Sequence, residues 1–364
     1  MNHPFTSLQI AGRKYEKEEL LELSASQLEN PYTPSWQRDT YLFIRDWLSE
    51  EDHIEVSTSG STGSPKSIRL QKQCMINSAR LTSSFFRLDR SANALLCLPV
   101  KYIAGKMMIA RAFVSGCNLL VTAPKANPFK EQQHKVDFAA VTPYQMLHSL
   151  DNIKSGKTIK TIIAGGGEIN AGLEERIREI PVNIFATYGM TETCSHIALR
   201  KINGPRRTSW YRTLEGVEIS KDERSCLVID ASHLSNTVII TNDIVEIKDE
   251  RHFKWLGRWD NVINSGGIKI FPEQIEKIIS GICAERVVIV PVKDKKLGNI
   301  PVLVVESGNT GKLDQKKLAG LISKAAGRYS VPKKIYSLPA FPETPTGKPD
   351  RKMIARQIKD YFTA

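Results

Sequence analysis

A loop of small, hydroxyl and glycine residues ends in a lysine early in the chain. The run STSGSTGSPKS occupies residues 57–67 and follows a short apolar stretch that is typical of a β-strand. Glycines let the backbone approach a ligand closely, N–H and hydroxyl groups donate to phosphate oxygens, and a lysine adds a positive charge. The run is not a P-loop, since Pro65 precedes Lys66 where that signature requires glycine. We predict phosphate binding by Ser59, Gly60, Ser61, Thr62, Gly63 and Lys66.

Two further polar clusters directly follow predicted strands in the middle of the chain. They read AGGGE at residues 164–168 and TYGMTET at residues 187–193. Ligands of open α/β sheets bind beyond the carboxyl ends of the strands, so we expect both clusters to face one nucleotide. Glu192 offers a hard oxygen ligand for Mg²⁺, and Thr191 offers a hydroxyl group for phosphate. A surface turn that caps a helix is the alternative interpretation of this pattern.

The last clusters read TNDIVEI (241–247), HFKWLGRWDNVINSGGIKIFPEQIE (252–276) and FPETPTGKPDR (341–351). Asp243 can accept hydrogen bonds from a ribose diol, and Arg258 can donate them. Lys348 lies in a proline- and glycine-rich loop whose stiffness could place one ammonium group accurately. By composition alone, a solvated surface lysine is the alternative for this position.

The elements that must position these residues follow from the hydrophobic pattern. Helical spacing between about Lys14 and Leu48 predicts two helices. From Ile54 to about Thr187, short β-type runs alternate with helical stretches, which predicts a parallel sheet covered by helices. After Ser195, short strands without long helices predict an antiparallel or barrel-like region, and the chain beyond residue 269 reads as a compact α+β unit. We therefore expect an α/β protein with a large N-terminal domain, a barrel-like β subdomain and a small C-terminal domain.

Composition restricts the class of protein. The chain has 364 residues, of which 41% are apolar and 25% are charged, so it is long enough for two or three folded domains and is neither fibrous nor disordered. A net charge of +12 favours anionic partners. Basic residues are mixed with acidic ones, and no aromatic–basic platform is present, which argues against a nucleic-acid partner.

Cysteine spacing and hydropathy indicate the cellular compartment. The six cysteines form no CxxC pair, so we expect buried free thiols rather than a metal cage or a disulfide framework. No apolar run reaches the roughly 18 residues of a membrane span, and the first residues lack the apolar core of a signal peptide. We expect a cytoplasmic protein without a membrane span. The sequence does not indicate an oligomeric state.

Taken together and in this order, the clusters resemble the adenylate-forming superfamily of acyl-CoA and aryl-CoA synthetases, peptide-synthetase adenylation domains and beetle luciferase. The motifs SGSTGSPK, YGMTE, GRWDNVINSGGIKIFPEQIE and PTGK carry the resemblance, which covers Ser57 to Arg351, about four-fifths of the chain. Within that superfamily the chain most resembles the o-succinylbenzoate-CoA ligases of menaquinone biosynthesis. Its first 50 residues look like a shortened form of the family's leading subdomain.

The resemblance implies an activity and its cofactors. Such an enzyme would use ATP and Mg²⁺ to convert an aromatic acid, o-succinylbenzoate, into an acyl-adenylate with release of pyrophosphate, and would then transfer the acyl group to coenzyme A. It also implies a domain at residues 1–258 for AMP and acyl binding, and a mobile domain at residues 261–364 that rotates about a hinge at Asp260. A different aryl- or fatty-acyl-CoA ligase, or a non-catalytic nucleotide-binding relative, remains an alternative.

The resemblance also implies the roles of individual residues. The adenine pocket would be lined by Gly165, Gly166, Gly167 and Glu168, with Tyr188 stacked on the base and Gly189 beside it. Thr191 and Glu192 would serve phosphate and magnesium, Asp243 and Arg258 the ribose, and Lys348 the α-phosphate during the first step. The surface used in the second step would include Ser265, Gly266, Gly267 and Lys269.

This sequence departs from the family's pattern at two places that bear on the site. The family's TGD motif reads TND, with Asn242 in place of glycine, and Tyr102 occurs where a histidine is common, so that histidine's role is not transferred. No acidic residue occurs between Ser91 and Ala123, which disfavours an amino-acid substrate. We predict instead that Tyr102, Lys106 and Arg111 contact the acid, and that Arg111 meets a second carboxylate. An internal salt bridge or an exposed helix edge is the alternative for Arg111.

Overall fold

Strands and helices alternate through the first half of the chain. The computed structural model describes residues 3–57, 67–235, 237–283, 285–306, 314–344 and 349–359. Before residue 195 the elements are β1 (Leu8–Ile10), β2 (Arg13–Tyr15), α1 (Lys17–Glu29), α2 (Ser35–Leu48), β3 (His53–Ser57), β4 (Ser67–Gln71), α3 (Lys72–Phe86), β5 (Asn93–Leu96), α4 (Ile103–Ser115), β6 (Asn118–Val121), β7 (Val136–Val141), α5 (Pro143–His148), α6 (Leu150–Ile153), β8 (Ile159–Ala164), α7 (Ala171–Ile177) and β9 (Asn183–Gly189).

Strands dominate the next stretch, and helices return near the C-terminus. The elements are β10 (His196–Lys201), β11 (Tyr211–Thr213), β12 (Glu218–Lys221), β13 (Cys226–Asp230), β14 (Ile239–Asp249), β15 (His252–Arg258), β16 (Ile263–Ser265), β17 (Ile268–Ile270), α8 (Pro272–Ser280), β18 (Val287–Asp294), β19 (Gly298–Glu306), α9 (Gln315–Ala326), β20 (Lys334–Leu338) and α10 (Arg351–Lys359).

One large sheet carries most of the strands. Among the described residues its order is β12-β13-β14-β15-β11-β10-β9-β8-β7-β5-β6-β1-β2. The strands from β9 to β1 pair in parallel, which confirms the prediction for the alternating part of the chain. The strands from β10 to β12 pair antiparallel, as expected, and they continue the same hydrogen-bonded sheet. The fold class is confirmed.

Helices cover both faces of the parallel strands because both faces are apolar. Leu95 and Leu96 are consecutive on β5, so they point to opposite faces, and they belong to different hydrophobic clusters. Helix α4 is buried almost all round, from Met107 to Phe113, since it lies between the sheet and helices α2 and α3. The parallel strands are thus covered by apolar side chains on both faces.

The first 71 residues contain the main differences from the prediction. Lys14 and Tyr15 belong to strand β2, which forms a hairpin with β1 at one edge of the sheet, and the two predicted helices begin only at Lys17. Strand β3 does not join the parallel sheet, because it pairs antiparallel with β4 in a separate two-stranded sheet. Alternating apolar residues indicate a half-buried strand but do not indicate its partner.

The C-terminal part builds its own core. Strands β18, β19 and β20 form a three-stranded sheet, and α8, α9 and α10 pack on it. The predicted α+β unit is confirmed, whereas the turn-rich run before it also contains the short hairpin β16–β17. The hydrophobic clusters of this part contain only residues from Ile263 onward, and those of the large sheet end at Phe253. The division at Asp260 falls between them and stays a prediction.

Two predictions about the whole chain can be compared with the structure. All six cysteines are buried and free, as expected from their spacing. In the part of the chain that the structure describes, no helix is both long enough and apolar enough to cross a bilayer.

Candidate functional site

Two neighbouring parallel strands bring the predicted nucleotide loops to one edge of the sheet. Ala164 of β8 lies opposite Ala186 of β9, so the loops that follow them leave the sheet side by side. Thr187 Oγ1 donates to the carbonyl oxygen of Ala164 at 3.2 Å. A Cβ atom on Gly165 would lie 2.2 Å from that hydroxyl oxygen, and Gly166 has a φ of +78°. The close approach of the two loops therefore requires glycine at residue 165.

A single 3₁₀ turn over Thr191–Thr193 follows β9 and presents the predicted catalytic pair. The Thr193 hydroxyl accepts from the Met190 backbone N–H at 3.1 Å and donates to the Ser195 carbonyl oxygen at 2.6 Å, which fixes the turn. A Cβ atom on Gly189 would lie 2.3 Å from the same carbonyl oxygen. Glu192 is exposed, and no ion pair among the described residues includes it. Its carboxylate is available to a cation.

The predicted phosphate-binding residues Ser59–Lys66 lie outside the described residues, but the strands on either side of them are described. Ser57 and Ser67 pair directly across the β3–β4 hairpin, so the two ends of the loop are held together. Strand β4 also packs against the Thr191–Thr193 turn. The strand that follows these residues therefore lies beside the turn that carries Glu192.

A buried carboxylate on β14 organises the predicted ribose site. Tyr188 Oη donates to Asp243 Oδ2 at 2.7 Å, and Trp255 Nε1 donates to Oδ1 at 3.2 Å. Arg258 is the cross-strand neighbour of Asp243 on β15, and its Nη1 lies 3.6 Å from Oδ1. The structure thus brings together Tyr188, Asp243 and Arg258, three of the residues predicted to bind the nucleoside.

The Tyr188 ring is held by other aromatic side chains. It meets Phe253 edge-on with ring centroids 5.0 Å apart, and Tyr211 with centroids 5.9 Å apart. Burial and the neighbouring Asp243 carboxylate raise the pKa of Tyr188 well above its usual value. The hydroxyl group therefore stays protonated and acts as a donor to Asp243. Stacking of this ring on adenine stays a prediction.

Arg111 is a buried cation beside the Thr191–Thr193 turn. It is 2% exposed, and its Nη2 donates to Ser195 Oγ at 2.6 Å, while Nη1 lies 3.5 Å from Met108 Sδ. Its Nε is buried without a partner, and no carboxylate in the described ranges forms an ion pair with it. Burial lowers the pKa of Arg111 to about 10, which still leaves it charged at neutral pH. The exposed helix edge considered for Arg111 is excluded, and no internal salt bridge is found among the described residues.

The other two predicted acid-binding residues point elsewhere. Lys106 is five positions before Arg111 on α4, which places the two side chains about 140° apart around the helix. Its Nζ lies 5.1 Å from the centre of the Phe43 ring, and burial lowers its pKa. Tyr102 is exposed next to Lys101, whose Nζ lies 5.6 Å from the Tyr102 ring. The structure does not bring Lys106 or Tyr102 together with Arg111.

The loop of Glu168 faces a charged cluster on the C-terminal helices. Glu168 is exposed, but crowding by neighbouring protein, together with Glu276 and Glu273, raises the pKa of its carboxylate, and Lys277 and Arg351 oppose this rise. Glu276 accepts from Arg351 Nη2 at 2.6 Å. The predicted adenine loop is thus in the electrostatic field of α8 and α10.

The predicted hinge lies between β15 and β16. Asp260 is exposed and accepts from Arg258 Nη2 at 2.8 Å. Gly266 and Gly267 form the turn of the β16–β17 hairpin with φ of +57° and +83°, a conformation that favours glycine at both positions. Their proposed place on the surface used in the second step stays a prediction. Lys269 Nζ lies 4.7 Å from the centre of the Trp259 ring. Lys348, the predicted catalytic lysine, lies outside the described residues.

Sequence reasoning missed some residues that shape the site. Trp255 supports Asp243, Ser195 binds Arg111, and Arg224 donates to Asn242 Oδ1 at 2.8 Å. Trp255 lies on β15 opposite Val245 of β14, so the pairing of these two consecutive strands could have indicated it. Ser195 and Arg111 are 84 positions apart, and no local pattern connects them.

Comparison with known proteins identifies the family. The family model described as AMP-binding enzyme matches residues 45–221. The crystal structure of an acyl-CoA synthetase (AMP-forming)/AMP-acid ligase II-like protein from Dyadobacter fermentans is 34% identical, with a TM-score of 0.60, over 93% of this chain and 98% of that one. The chain belongs to the AMP-binding enzyme family. The resemblance seen in the sequence motifs is confirmed.

Further similar proteins of the AMP-binding enzyme type carry more specific names. The 2-succinylbenzoate-CoA ligase of Lactococcus lactis subsp. lactis is 24% identical over 335 residues, which cover 84% of this chain and 71% of that protein. The o-succinylbenzoate coenzyme A synthetase MenE of Bacillus subtilis, in complex with ATP and magnesium ion, has a TM-score of 0.76 at 18% identity, over 95% of this chain and 96% of that one. At that identity the likeness shows the fold alone.

Proposed function

We propose that the chain is an AMP-forming ligase that joins o-succinylbenzoate to coenzyme A in menaquinone biosynthesis. The observation that carries this proposal is Arg111, a buried cation without a carboxylate partner among the described residues. A buried charge is costly unless it is paired, so the site favours a substrate that supplies the missing anion. O-succinylbenzoate has two carboxylates, one to be activated and one to meet Arg111. The name of the Lactococcus lactis relative supports the same substrate.

In the first step, ATP would lie across the carboxyl ends of β8 and β9. Asp243 would accept from the ribose hydroxyls, Arg258 would donate to the ribose, and the loop from Gly165 to Glu168 would border adenine. Thr191 would donate to phosphate, and Lys348 would approach the α-phosphate as the substrate carboxylate attacks. Such an attack at the α-phosphorus is accelerated mainly by positioning the two reactants and by stabilising the negative charge on the phosphate oxygens.

The donor set fits a magnesium ion bound together with ATP. The described residues contain no group of three or more side chains that could hold a metal alone, and the exposed Glu192 carboxylate has no ion pair among them. Mg²⁺ usually binds one or two protein carboxylates and completes its shell with substrate phosphates and water. Glu192 would hold the ion, which would neutralise charge on the phosphate oxygens during adenylation.

The second step would use the same site with coenzyme A as the acceptor. The proposal includes a division into residues 1–258 and 261–364, with rotation about Asp260 between the steps. Gly266, Gly267 and Lys269 would then border the entering thiol arm. We also propose a cytoplasmic location, because six buried free thiols are typical of a reducing compartment.

Pyrophosphate release from ATP and Mg²⁺ tests the proposal. It should be measured with coenzyme A and a panel of acids: o-succinylbenzoate, benzoate, medium-chain fatty acids and amino acids. We expect turnover with o-succinylbenzoate that is lost in Lys348→Ala. Preference for another acid would overturn the substrate but keep the ligase. Binding of ATP without turnover of any acid would indicate a non-catalytic relative.

The Arg111→Ala variant tests the specific observation within the same experiment. We expect kcat/KM for o-succinylbenzoate to fall on the order of 100-fold, because the second carboxylate loses its partner. Turnover of benzoate, which has no second carboxylate, should change far less. Arg80→Ala removes an exposed arginine on the neighbouring helix α3 and serves as the control. An equal loss of kcat/KM with both acids would show that Arg111 stabilises the fold and does not contact the substrate.

A further inference from the structure

The side chain of Asn242 connects the predicted ribose site to the predicted hinge. Asn242 precedes Asp243 on β14, in the motif where the family usually has glycine. Its Nδ2 lies 3.4 Å from each carboxylate oxygen of Asp260, in hydrogen-bond contact. Glycine has no side chain and could not make this contact. The substitution therefore adds a link that the common form of the motif lacks.

The other end of the Asn242 amide is held firmly. Asn242 Oδ1 accepts from Arg224 Nη1 at 2.8 Å. Arg224 is itself fixed by Asp222, with Nε 2.8 Å and Nη2 2.7 Å from Oδ2, and its Nη2 also donates to the Thr241 carbonyl oxygen at 3.2 Å. An arginine with this many fixed donors presents a planar and rigid surface. The orientation of the Asn242 amide is thus defined, with its N–H groups directed at Asp260.

The hinge segment has contacts with the same cluster. The Arg224 guanidinium lies 5.9 Å from the centre of the Trp259 ring, and Lys269 Nζ approaches that ring at 4.7 Å. Asp260 also accepts from Arg258, which faces Asp243 across the strands. Residues 259–260 are therefore joined to the ribose site through Arg258 and, separately, through Asn242.

We propose that Asn242 is a positioning residue that couples nucleotide binding to the orientation of the segment Trp259–Asn261, and thereby sets the balance between adenylation and thioester formation. The proposal rests on the proposed function. Rotation about Asp260 changes the direction of its carboxylate, so the Asn242 contact favours one orientation. A ligand or contact shifts such an equilibrium only by its difference in affinity for the two states.

Two substitutions at this residue separate its two contacts. Asn242→Gly removes both contacts. Because one hydrogen bond contributes about 1 kcal/mol net, its loss should change the ratio of the adenylation rate to the acyl-transfer rate by about fivefold. Asn242→Asp keeps the acceptor for Arg224 but places a carboxylate opposite Asp260. Asn242→Asp should change the ratio of the two rates in the same direction as Asn242→Gly does, and by a larger factor, because the two carboxylates repel each other. Adenylation is measured by the pyrophosphate burst, and acyl transfer by single-turnover reaction of the bound acyl-adenylate with coenzyme A.

Nucleotide affinity distinguishes coupling from a direct role at the ribose. We expect the Kd of AMP to change by no more than the rate ratio does, because coupling between a ligand and an orientation is reciprocal. An unchanged rate ratio, or a loss of AMP affinity much larger than the change in that ratio, would overturn the proposal. If no acid is turned over, the proposed function fails, and hydrogen exchange of the amides of residues 259–262 with and without AMP still measures the coupling. Equal AMP-induced protection in wild type and Asn242→Gly would then overturn it.

Discussion

At the scale of single residues, a neutral histidine lies beside the buried arginine. His196 is 5% exposed, and its ring nitrogens lie 3.3 Å from Ser195 Oγ and 3.4 Å from Thr82 Oγ1. Burial and the charge of Arg111 lower the pKa of His196 well below its usual value. The ring therefore stays neutral in the folded protein at pH values where an unfolded chain would protonate it. Of the two side chains, Arg111 and His196, only Arg111 therefore carries a positive charge.

This neutrality makes the protein sensitive to acid. Because the unfolded state binds a proton below about pH 6.5 and the folded state does not, the free energy of unfolding should fall as the pH decreases through that region. Between pH 7.0 and 5.5 the free energy of unfolding should fall by about 1 kcal/mol less in His196→Gln than in wild type. Urea unfolding at the two pH values measures it, with the exposed His134→Gln as a control. Equal pH sensitivity of His196→Gln and wild type would contradict the explanation.

Single residues also show what the sequence can and cannot predict about the site. Asp243 and Arg258 were predicted from motifs, and the strand register places them opposite each other because both lie on one hairpin. Tyr188, which donates to Asp243, and Ser195, which accepts from Arg111, are far from their partners in the sequence, so local patterns could not connect these pairs. The direction of Lys106 depends on where α2 packs, which only the tertiary structure defines.

At the scale of elements, helices α7 and α8 approach each other unusually closely. A Cβ atom on Gly172 of α7 would lie 2.9 Å from the Ser280 carbonyl oxygen of α8. The Ala171 N–H donates to Ser280 Oγ at 3.3 Å, and Lys277 Nζ lies 3.8 Å from Glu174 Oε1. These contacts join the loop region after β8 to the C-terminal unit.

Gly172→Ala should weaken this contact. Alanine favours a helix over glycine by roughly 1 kcal/mol, so a loss of stability would arise from the contact and not from the helix itself. We expect faster hydrogen exchange at the end of α8 and a lower free energy of unfolding. Gly320→Ala in α9 is the matched control, because a Cβ atom there has no neighbour within 4 Å, and it should stabilise the protein. Stabilisation by both substitutions would show that α7 and α8 can separate at little cost.

The elements themselves were predicted unevenly. Nearly every strand of the parallel sheet was found from its apolar run, because buried parallel strands have continuous apolar sequences. The β3–β4 pairing was missed, since an antiparallel hairpin and a parallel strand share the same short pattern. Short strands were expected after Ser195, yet β14 runs without interruption from Ile239 to Asp249, with a register shift after Ile244.

At the scale of the whole molecule, the hydrophobic cores on the two sides of Asp260 have no residue in common. The C-terminal core is tied together by Arg351, which donates to Glu276 Oε2 at 2.6 Å and to the Ile289 carbonyl oxygen at 2.9 Å. The neighbouring Glu276 and Glu273 carboxylates outweigh burial and raise the pKa of Arg351. Separate cores of this kind can unfold separately.

Calorimetry should therefore resolve two unfolding transitions. Arg351→Met removes the bonds to α8 and β18 and should destabilise the C-terminal unit by about 2 kcal/mol, between the values for exposed and fully buried ion pairs. Only one transition should move, by several degrees, as is usual for a unit of about 100 residues. One transition that shifts as a whole in the variant would contradict the division at Asp260.

The placement of the Asp243–Arg258 pair on adjacent strands of one hairpin also bears on the order in which the site assembles. Contacts between chain neighbours close short loops and form quickly, whereas distant contacts wait for more of the chain to collapse. Asp243 and Arg258 are 15 positions apart on one hairpin, but Tyr188 contacts Asp243 across 55 positions and Arg111 contacts Ser195 across 84. We therefore expect the Asp243–Arg258 pair to form earlier in folding than the Arg111–Ser195 contact.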